Sequence, residues 1–185
     1  MNNILINKIS STPNKILIAF LFSILIAISS KISVPFYPVP MTMQTFVVLM
    51  TGVMLGARFG FVALTFYILE GALGLPVFSG TPAKGIGLSY MTGPTGGYII
   101  GYAFSALITG YLFSKSNKFL VKKNIVTNFA KLTIALIPTY VFGLVWLGSL
   151  LGWDKPIFEW GMYPFLIGEL FKISLLSIVI SKFNK

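Results

Sequence analysis

The chain has 185 residues, of which 56% are hydrophobic and only 10% are charged, and this composition excludes an ordinary water-soluble domain. It contains no cysteine and no histidine, which excludes disulfides, thiolate catalysis, the HExxH zinc site and the Ser-His dyad. The net charge of +10 does not indicate nucleic-acid binding, because the basic residues lie between apolar runs along the chain and do not cluster on one face. We therefore expect an integral membrane protein.

Long uncharged runs predict helices that span the membrane. Three stretches contain no charged residue, and they lie between Lys31 and Arg58, between Lys84 and Lys115, and between Lys131 and Asp154. Each is long enough for the roughly 20 residues with which a helix crosses a bilayer. In chain order we predict six helices, at about 15–31, 42–57, 59–74, 93–113, 127–151 and 162–182. They use nearly the whole chain, so we predict an all-α protein with a single membrane domain over residues 1–185.

The basic residues indicate how these helices are oriented. Six helices place both termini on one side, and if that side is the cytoplasm, ten basic residues lie inside: Lys8, Lys15, Arg58, Lys115, Lys118, Lys122, Lys123, Lys131, Lys182 and Lys185. Only Lys31, Lys84 and Lys155 then lie outside, while Lys172 falls within the last helix. Because cytoplasmic loops carry an excess of lysine and arginine, we expect both termini in the cytoplasm.

Three connections lie on the predicted outer side, at 34–40, 75–92 and 153–160. The first two are rich in proline or glycine, and the second is long for a connection between helices. Long ordered loops often act as lids or binding loops. We therefore expect a ligand site that faces outward.

Three sequence blocks resemble a known family. They are YPVPMTMQT at 37–45, GALGLPVFSGTPAKGIGLSYMTGPTGGY at 71–98 and PFLIGELFK at 164–172. These blocks resemble the BioY family, the biotin-binding S component of energy-coupling factor transporters. The resemblance implies a subunit with six helices in a bacterial cell membrane that captures biotin from outside. It also implies a separate transmembrane coupling subunit, two ATP-binding cassette ATPases, and no cofactor.

The last helix departs from the family's pattern. The family usually has Asp in a G-D-L block that reaches the ring system of biotin, whereas here Gly168 is followed by Glu169. The additional methylene moves the carboxylate by about 1.5 Å, comparable to the rise of one helical residue. A charge inside a bilayer helix faces a cavity or a partner. We expect Glu169 to accept hydrogen bonds from the ureido group of biotin, and its alternative partner is Lys172, three residues later on the same face.

The stretch YMTGPTGGYIIGY at 90–102 predicts the start of a helix. With Pro94 in the first turn, the N–H groups of Thr95, Gly96 and Gly97 are expected to be free at the positive end of the helix dipole. Such an end can bind a carboxylate or a carbonyl. The alternative is that the glycines only let two helices pack closely.

Other residues complete the predicted ligand site. Lys84, in the long outer connection, either meets the biotin carboxylate or is a solvated loop charge. Gln44 offers a donor and an acceptor to a ligand or to another helix. The aromatic residues expected in the pocket wall are Tyr90, Tyr98 and Trp146.

The first helix carries Ala19, Ser23 and Ala27 at intervals of four residues. Such a smooth stripe lets another helix approach closely. The resemblance implies that this stripe meets the coupling subunit, and the alternative is packing within this chain.

Three other functions are weighed against biotin transport. An S component for another vitamin conflicts with the GALGLPVF and GPTGGY blocks. An ion-coupled carrier would need more acidic residues than the four in this chain, or a pair of acids inside the membrane, and Glu70 and Glu169 leave this alternative open. A membrane-embedded hydrolase is excluded because the chain has no histidine, cysteine or GxSxG motif, and ATP dependence must come from other chains because a Walker A motif is absent.

Overall fold

The computed structural model of the chain describes residues 12–114 and 124–183. Its helices are α1 (Thr12–Lys31), α2 (Gln44–Ala72), α3 (Leu88–Met91), α4 (Gly96–Leu112), α5 (Ile125–Leu151), α6 (Ile157–Gly161) and α7 (Leu166–Phe183). The antiparallel strands β1 (Ser33–Val34) and β2 (Met41–Thr42) join α1 to α2, and a 3-10 turn at Tyr163–Phe165 leads into α7. Helices α1, α4, α5 and α7 match four of the predicted helices.

Helix α2 is bent back on itself and accounts for the remaining two predicted helices. At Gly56 the backbone has φ 77° and ψ 176°, a conformation that is essentially restricted to glycine. The Gln44 amide lies 2.7 Å from the Tyr67 hydroxyl. In a straight helix these residues would be about 34 Å apart at 1.5 Å per residue. Residues 44–55 and 57–72 are therefore two arms of a tight hairpin.

The arrangement of the helices follows from this hairpin. It packs against α1 on one side and α4 on the other, α4 packs against α5, and α5 packs against α7. Within the described residues, the stretches long and apolar enough to cross a membrane are Thr12–Lys31, Gln44–Ala72, Ile125–Leu151 and Ile157–Lys182, and α4 is a shorter apolar helix. Because α2 has two arms, six helical segments run through the bundle. The chain is a membrane protein.

The connections 32–43, 73–95 and 152–165 gather at one end of the bundle, here called the cavity end. Two hydrogen bonds show this: Lys31 donates to the Phe78 carbonyl at 2.7 Å, and Tyr98 donates to the Gly161 carbonyl at 2.8 Å. The Gly56 turn lies at the opposite end, where a side chain on Gly110 of α4 would collide with the Ala57 backbone.

The described basic residues separate between these two ends as the sequence predicted. The cavity end carries Lys31, Lys84 and Lys155, and the opposite end carries Lys15, Arg58, Lys131 and Lys182. The other predicted inner residues lie outside the described residues: Lys8, Lys115, Lys118, Lys122, Lys123 and Lys185.

The small-residue stripe on α1 is not an outer surface, and this corrects the expectation that it meets a coupling subunit. Ala19 and Ser23 are fully buried inside the chain, and Ala27 is partly buried. Ser23 donates a hydrogen bond of 2.5 Å to Glu70 on the second arm of α2. Ala19 packs with Ala63 of the same arm. The stripe lets α1 approach α2, which is the packing alternative.

Candidate functional site

Two small neighbouring cavities lie at the cavity end. We call them the Gln44 chamber and the Glu169 chamber after one residue that lines each, and they share the lining residues Val39, Pro40, Thr42, Tyr98 and Tyr102. Each has a volume of about 20 Å³. That is room for about one water, whereas pockets for organic ligands typically enclose roughly 300 Å³ or more. An organic ligand therefore needs the walls to move apart.

The outer walls of the two chambers are formed by connections between helices and strands. Val39 and Pro40 come from the connection between β1 and β2, and Phe78 and Ser79 come from the connection between α2 and α3. Both segments lie outside the long helices. The second segment is held against α1 by a hydrogen bond of 2.7 Å that the Ser30 hydroxyl donates to the Val77 carbonyl.

Glu169, which lines the Glu169 chamber, belongs to a buried ion pair on α7. Glu169 and Lys172 are each 5% exposed, and the Lys172 ammonium lies 2.6 Å from Glu169 Oε1. The same oxygen accepts a hydrogen bond of 2.8 Å from Thr45. Lys172 also donates to the Thr45 hydroxyl at 2.5 Å and to the Thr42 carbonyl at 3.0 Å. All three protons of the ammonium are therefore used, and the pair that the sequence proposed as an alternative is formed.

The second carboxylate oxygen, Glu169 Oε2, has no hydrogen-bond partner. Within the described residues it is the one buried side-chain oxygen or nitrogen in this state. An unsatisfied buried acceptor is costly, and an unsatisfied charged one costs more. Glu169 lines the chamber, and a ligand whose N–H donors reached this oxygen would satisfy it.

The Gln44 chamber contains a second polar group whose partners are inside the protein. Gln44 is 4% exposed, its amide nitrogen donates to the Tyr67 hydroxyl at 2.7 Å, and its amide oxygen accepts from the Thr42 hydroxyl at 3.2 Å. An amide has two N–H donors and an oxygen with two lone pairs. One donor and one lone pair of Gln44 are thus left for a ligand.

Aromatic rings form much of the remaining wall. Phe78 and Tyr90 are stacked with ring centroids 5.0 Å apart, and Tyr98 lies edge-on to Tyr140 at 6.4 Å. Burial raises the pKa of the Tyr90 hydroxyl, which donates to the Ser79 carbonyl at 2.7 Å. Such a wall suits an apolar, ring-shaped ligand.

The GPTGGY stretch joins α4 to α5 through its glycines. A side chain on Gly97 would collide with the Phe142 carbonyl and with Trp146 of α5. The Gly96 N–H donates to the Gly93 carbonyl at 3.1 Å, so the expectation that this group is free is wrong. The start of α4 therefore serves close packing, which was the alternative, while the Thr95 side chain lines the Gln44 chamber.

Two further predicted residues lie away from the chambers. The Trp146 indole donates to the Gly93 carbonyl at 2.9 Å and braces the turn before α4. Lys84 is exposed on the outer connection and lines neither chamber.

Several lining residues were missed by sequence reasoning. They are Thr42, Thr45, Tyr67, Tyr102, Thr139 and Tyr140. The first two stand inside the YPVPMTMQT block, which was a usable signal. The others are ordinary residues of apolar helices, and only the packing of distant segments brings them to the cavity.

The fold and the site together define a class of protein. The chain is a helical membrane protein that encloses two small, partly polar cavities at one end of its bundle, beside the connections between its helices. It belongs to the BioY family, whose pattern it matches over residues 4–185.

Individual relatives support this assignment. The chain is 33% identical over 159 residues to a probable biotin transporter BioY from Pyrococcus horikoshii, a match that covers 86% of this chain and 89% of the relative. It is 32% identical over 167 residues to the biotin transporter BioY of Thermotoga maritima, covering 90% and 94%. With the biotin transporter BioY of Rhizobium etli the identity is 34% over 169 residues, covering 88% of each.

A solved structure has the same fold. The crystal structure of the S-component for biotin from an ECF-type ABC transporter superposes with a TM-score of 0.76 and covers 95% of both chains. Its sequence is 21% identical, so the similarity concerns the fold.

Proposed function

We propose that this chain binds biotin in the two chambers and moves it across the membrane as the substrate-binding subunit of an energy-coupling factor transporter. It is a transport protein and not an enzyme. Its family and the biotin transport assigned to its relatives support this proposal. The location is a bacterial cell membrane, with the termini in the cytoplasm and the cavity end outside, as the distribution of basic residues favours.

The unpaired oxygen of Glu169 is the observation that carries the proposal. Biotin has a ureido group with two N–H donors, and Glu169 Oε2 is a buried charged acceptor without a partner among the described residues. A carboxylate oxygen can accept two hydrogen bonds. The ligand would thus supply the donors that the protein leaves out. Lys172 holds the other oxygen in an ion pair and leaves Oε2 for a ligand.

The bicyclic body and the tail of biotin also find suitable residues in and beside the two chambers. The stacked rings of Phe78 and Tyr90, together with Tyr98, offer apolar wall for the bicyclic body. Gln44 has a donor and a lone pair to spare near the same space. The valeryl tail would point toward the outer connections, where Lys84 and the side chain of Thr95 are available to its carboxylate.

Energy for uptake comes from other chains in this proposal. The sequence has no Walker A motif, so ATP hydrolysis requires separate ABC ATPases and a transmembrane coupling subunit. Because the α1 stripe is buried, the coupling subunit must contact a different surface.

Calorimetric titration of biotin into the purified chain in detergent tests the function. We expect saturable binding of about one biotin per chain, and no heat from thiamin or riboflavin at the same concentrations, because neither presents a pair of ureido N–H donors to a buried carboxylate. Binding of another vitamin in place of biotin would refute the proposal.

A further inference from the structure

Tyr67 occupies an unusual place between the ligand site and the outer connection. It lies on the second arm of α2, is fully buried, and its ring packs edge-on against Phe78 with centroids 5.4 Å apart. Its hydroxyl accepts the hydrogen bond from Gln44 at 2.7 Å and faces the Val77 carbonyl at 3.4 Å. Both partners of the hydroxyl therefore belong to the protein.

The direction of these hydrogen bonds is determined by chemistry. A backbone carbonyl only accepts, so the Tyr67 proton is directed toward Val77. The hydroxyl oxygen then acts as an acceptor, and only the nitrogen side of the Gln44 amide can face it. The amide oxygen is consequently turned toward the Thr42 hydroxyl. Without the phenolic hydroxyl, nothing at Tyr67 would distinguish the two ends of the amide.

We infer that Tyr67 is a positioning residue, which fixes the orientation of the Gln44 amide toward the ligand without contacting the ligand through its hydroxyl. This inference rests on the proposed function, because the ligand in question is biotin. It predicts that the hydroxyl of Tyr67 affects biotin affinity only while Gln44 is present.

A double-mutant cycle tests this dependence, with biotin dissociation constants measured on Tyr67→Phe, Gln44→Leu and the double variant in detergent. Tyr67→Phe keeps the ring and its contact with Phe78, so the fold is retained. One neutral hydrogen bond corresponds to roughly a 3- to 10-fold change in an equilibrium constant. We expect Tyr67→Phe to weaken biotin binding by about that factor in the parent chain, and by less than about twofold in the Gln44→Leu chain.

Two control variants separate this role from a purely structural one. Ser30→Ala removes the other hydrogen bond to the Val77 carbonyl, at 2.7 Å, without touching Gln44. Tyr163→Phe removes a hydroxyl from a side chain that is 55% exposed and outside both chambers. Both should bind biotin within about twofold of the parent, since neither alters the Gln44 amide.

The possible outcomes are distinguishable. If the parent binds biotin but the effects of Tyr67→Phe and Gln44→Leu simply multiply, the inference is wrong and the proposed function stands. If Ser30→Ala weakens biotin as much as Tyr67→Phe, the hydroxyl acts by anchoring the outer connection, which also overturns the inference. If the parent binds no biotin, the proposed function fails and the inference fails with it.

Discussion

Replacing Glu169 by glutamine is the sharpest perturbation of the proposed ligand contact. In the structure Oε1 accepts from Thr45 and Lys172, and Oε2 has no partner. Glutamine has nearly the same shape as glutamate. If its amide nitrogen takes the position of Oε2, it cannot accept hydrogen bonds from the ureido N–H groups. If its amide oxygen takes that position, the nitrogen faces the Lys172 ammonium. Either orientation removes the charge that the ligand donors would meet.

The expected loss follows from the strength of such bonds. A hydrogen bond to a charged group contributes about 1.5 to 3 kcal/mol, and about 1.4 kcal/mol corresponds to a factor of ten in affinity. Glu169→Gln should therefore weaken biotin binding about 10- to 100-fold. Glu169→Asp keeps the charge and should cost less, because it restores the residue usual in the family and changes only the reach, by about 1.5 Å.

Calorimetric dissociation constants and thermal unfolding in detergent together measure this effect. Removing one partner of a buried ion pair can cost about 3 to 5 kcal/mol, so Glu169→Gln alone risks unfolding. The double variant Glu169→Gln, Lys172→Met removes both charges and should be more stable than the single variant. Glu159→Gln, at an exposed acid outside both chambers, is the matched control and should bind like the parent. A folded Glu169→Gln protein with parental affinity would refute the contact.

Three further predictions concern the fold and its orientation. Because the chain has no cysteine, Lys155→Cys should react with an impermeant thiol reagent in intact cells and Arg58→Cys should not, and the reverse pattern would invert the topology. Ser23→Leu should lower the unfolding temperature in detergent, since overpacking a buried site costs about 1 to 3 kcal/mol, whereas Ile24→Leu on the exposed face should leave it unchanged. Gly56→Ala should destabilise the hairpin by about 1 to 3 kcal/mol, and an unchanged unfolding curve would show that the φ of 77° does not require glycine.

The helices could be predicted from the sequence because they depend on local composition. Apolar runs located α1, α4, α5 and α7 to within four residues at each end, although Glu169 and Lys172 interrupt the run in α7. The charge on Arg58 also separated the two arms of α2, although the break itself is at Gly56. The short helices α3 and α6 were not predicted, since four or five residues carry too little periodicity.

The site could be predicted only where a residue type is unusual in its place. Glu169 and Lys172 stood out because charges are costly inside a membrane helix. Thr45 did not, and its hydrogen bond to Glu169 spans 124 residues of sequence. The prediction that the α1 stripe meets a coupling subunit failed because small residues indicate close helix packing but do not indicate which helix packs there.

Lys172 links the proposed ligand site to the outer wall through its hydrogen bonds. Its ammonium donates to the Thr42 carbonyl, at the end of β2, as well as to Thr45 and Glu169. Moving β2 outward would remove one of these three acceptors from a buried cation, which is unfavourable unless another acceptor or water replaces it. The same cation that orients the carboxylate thus favours the closed wall. Opening of the chambers at β2 would therefore take a hydrogen bond from the cation that pairs with Glu169, which connects the wall to the proposed ligand contact through one side chain.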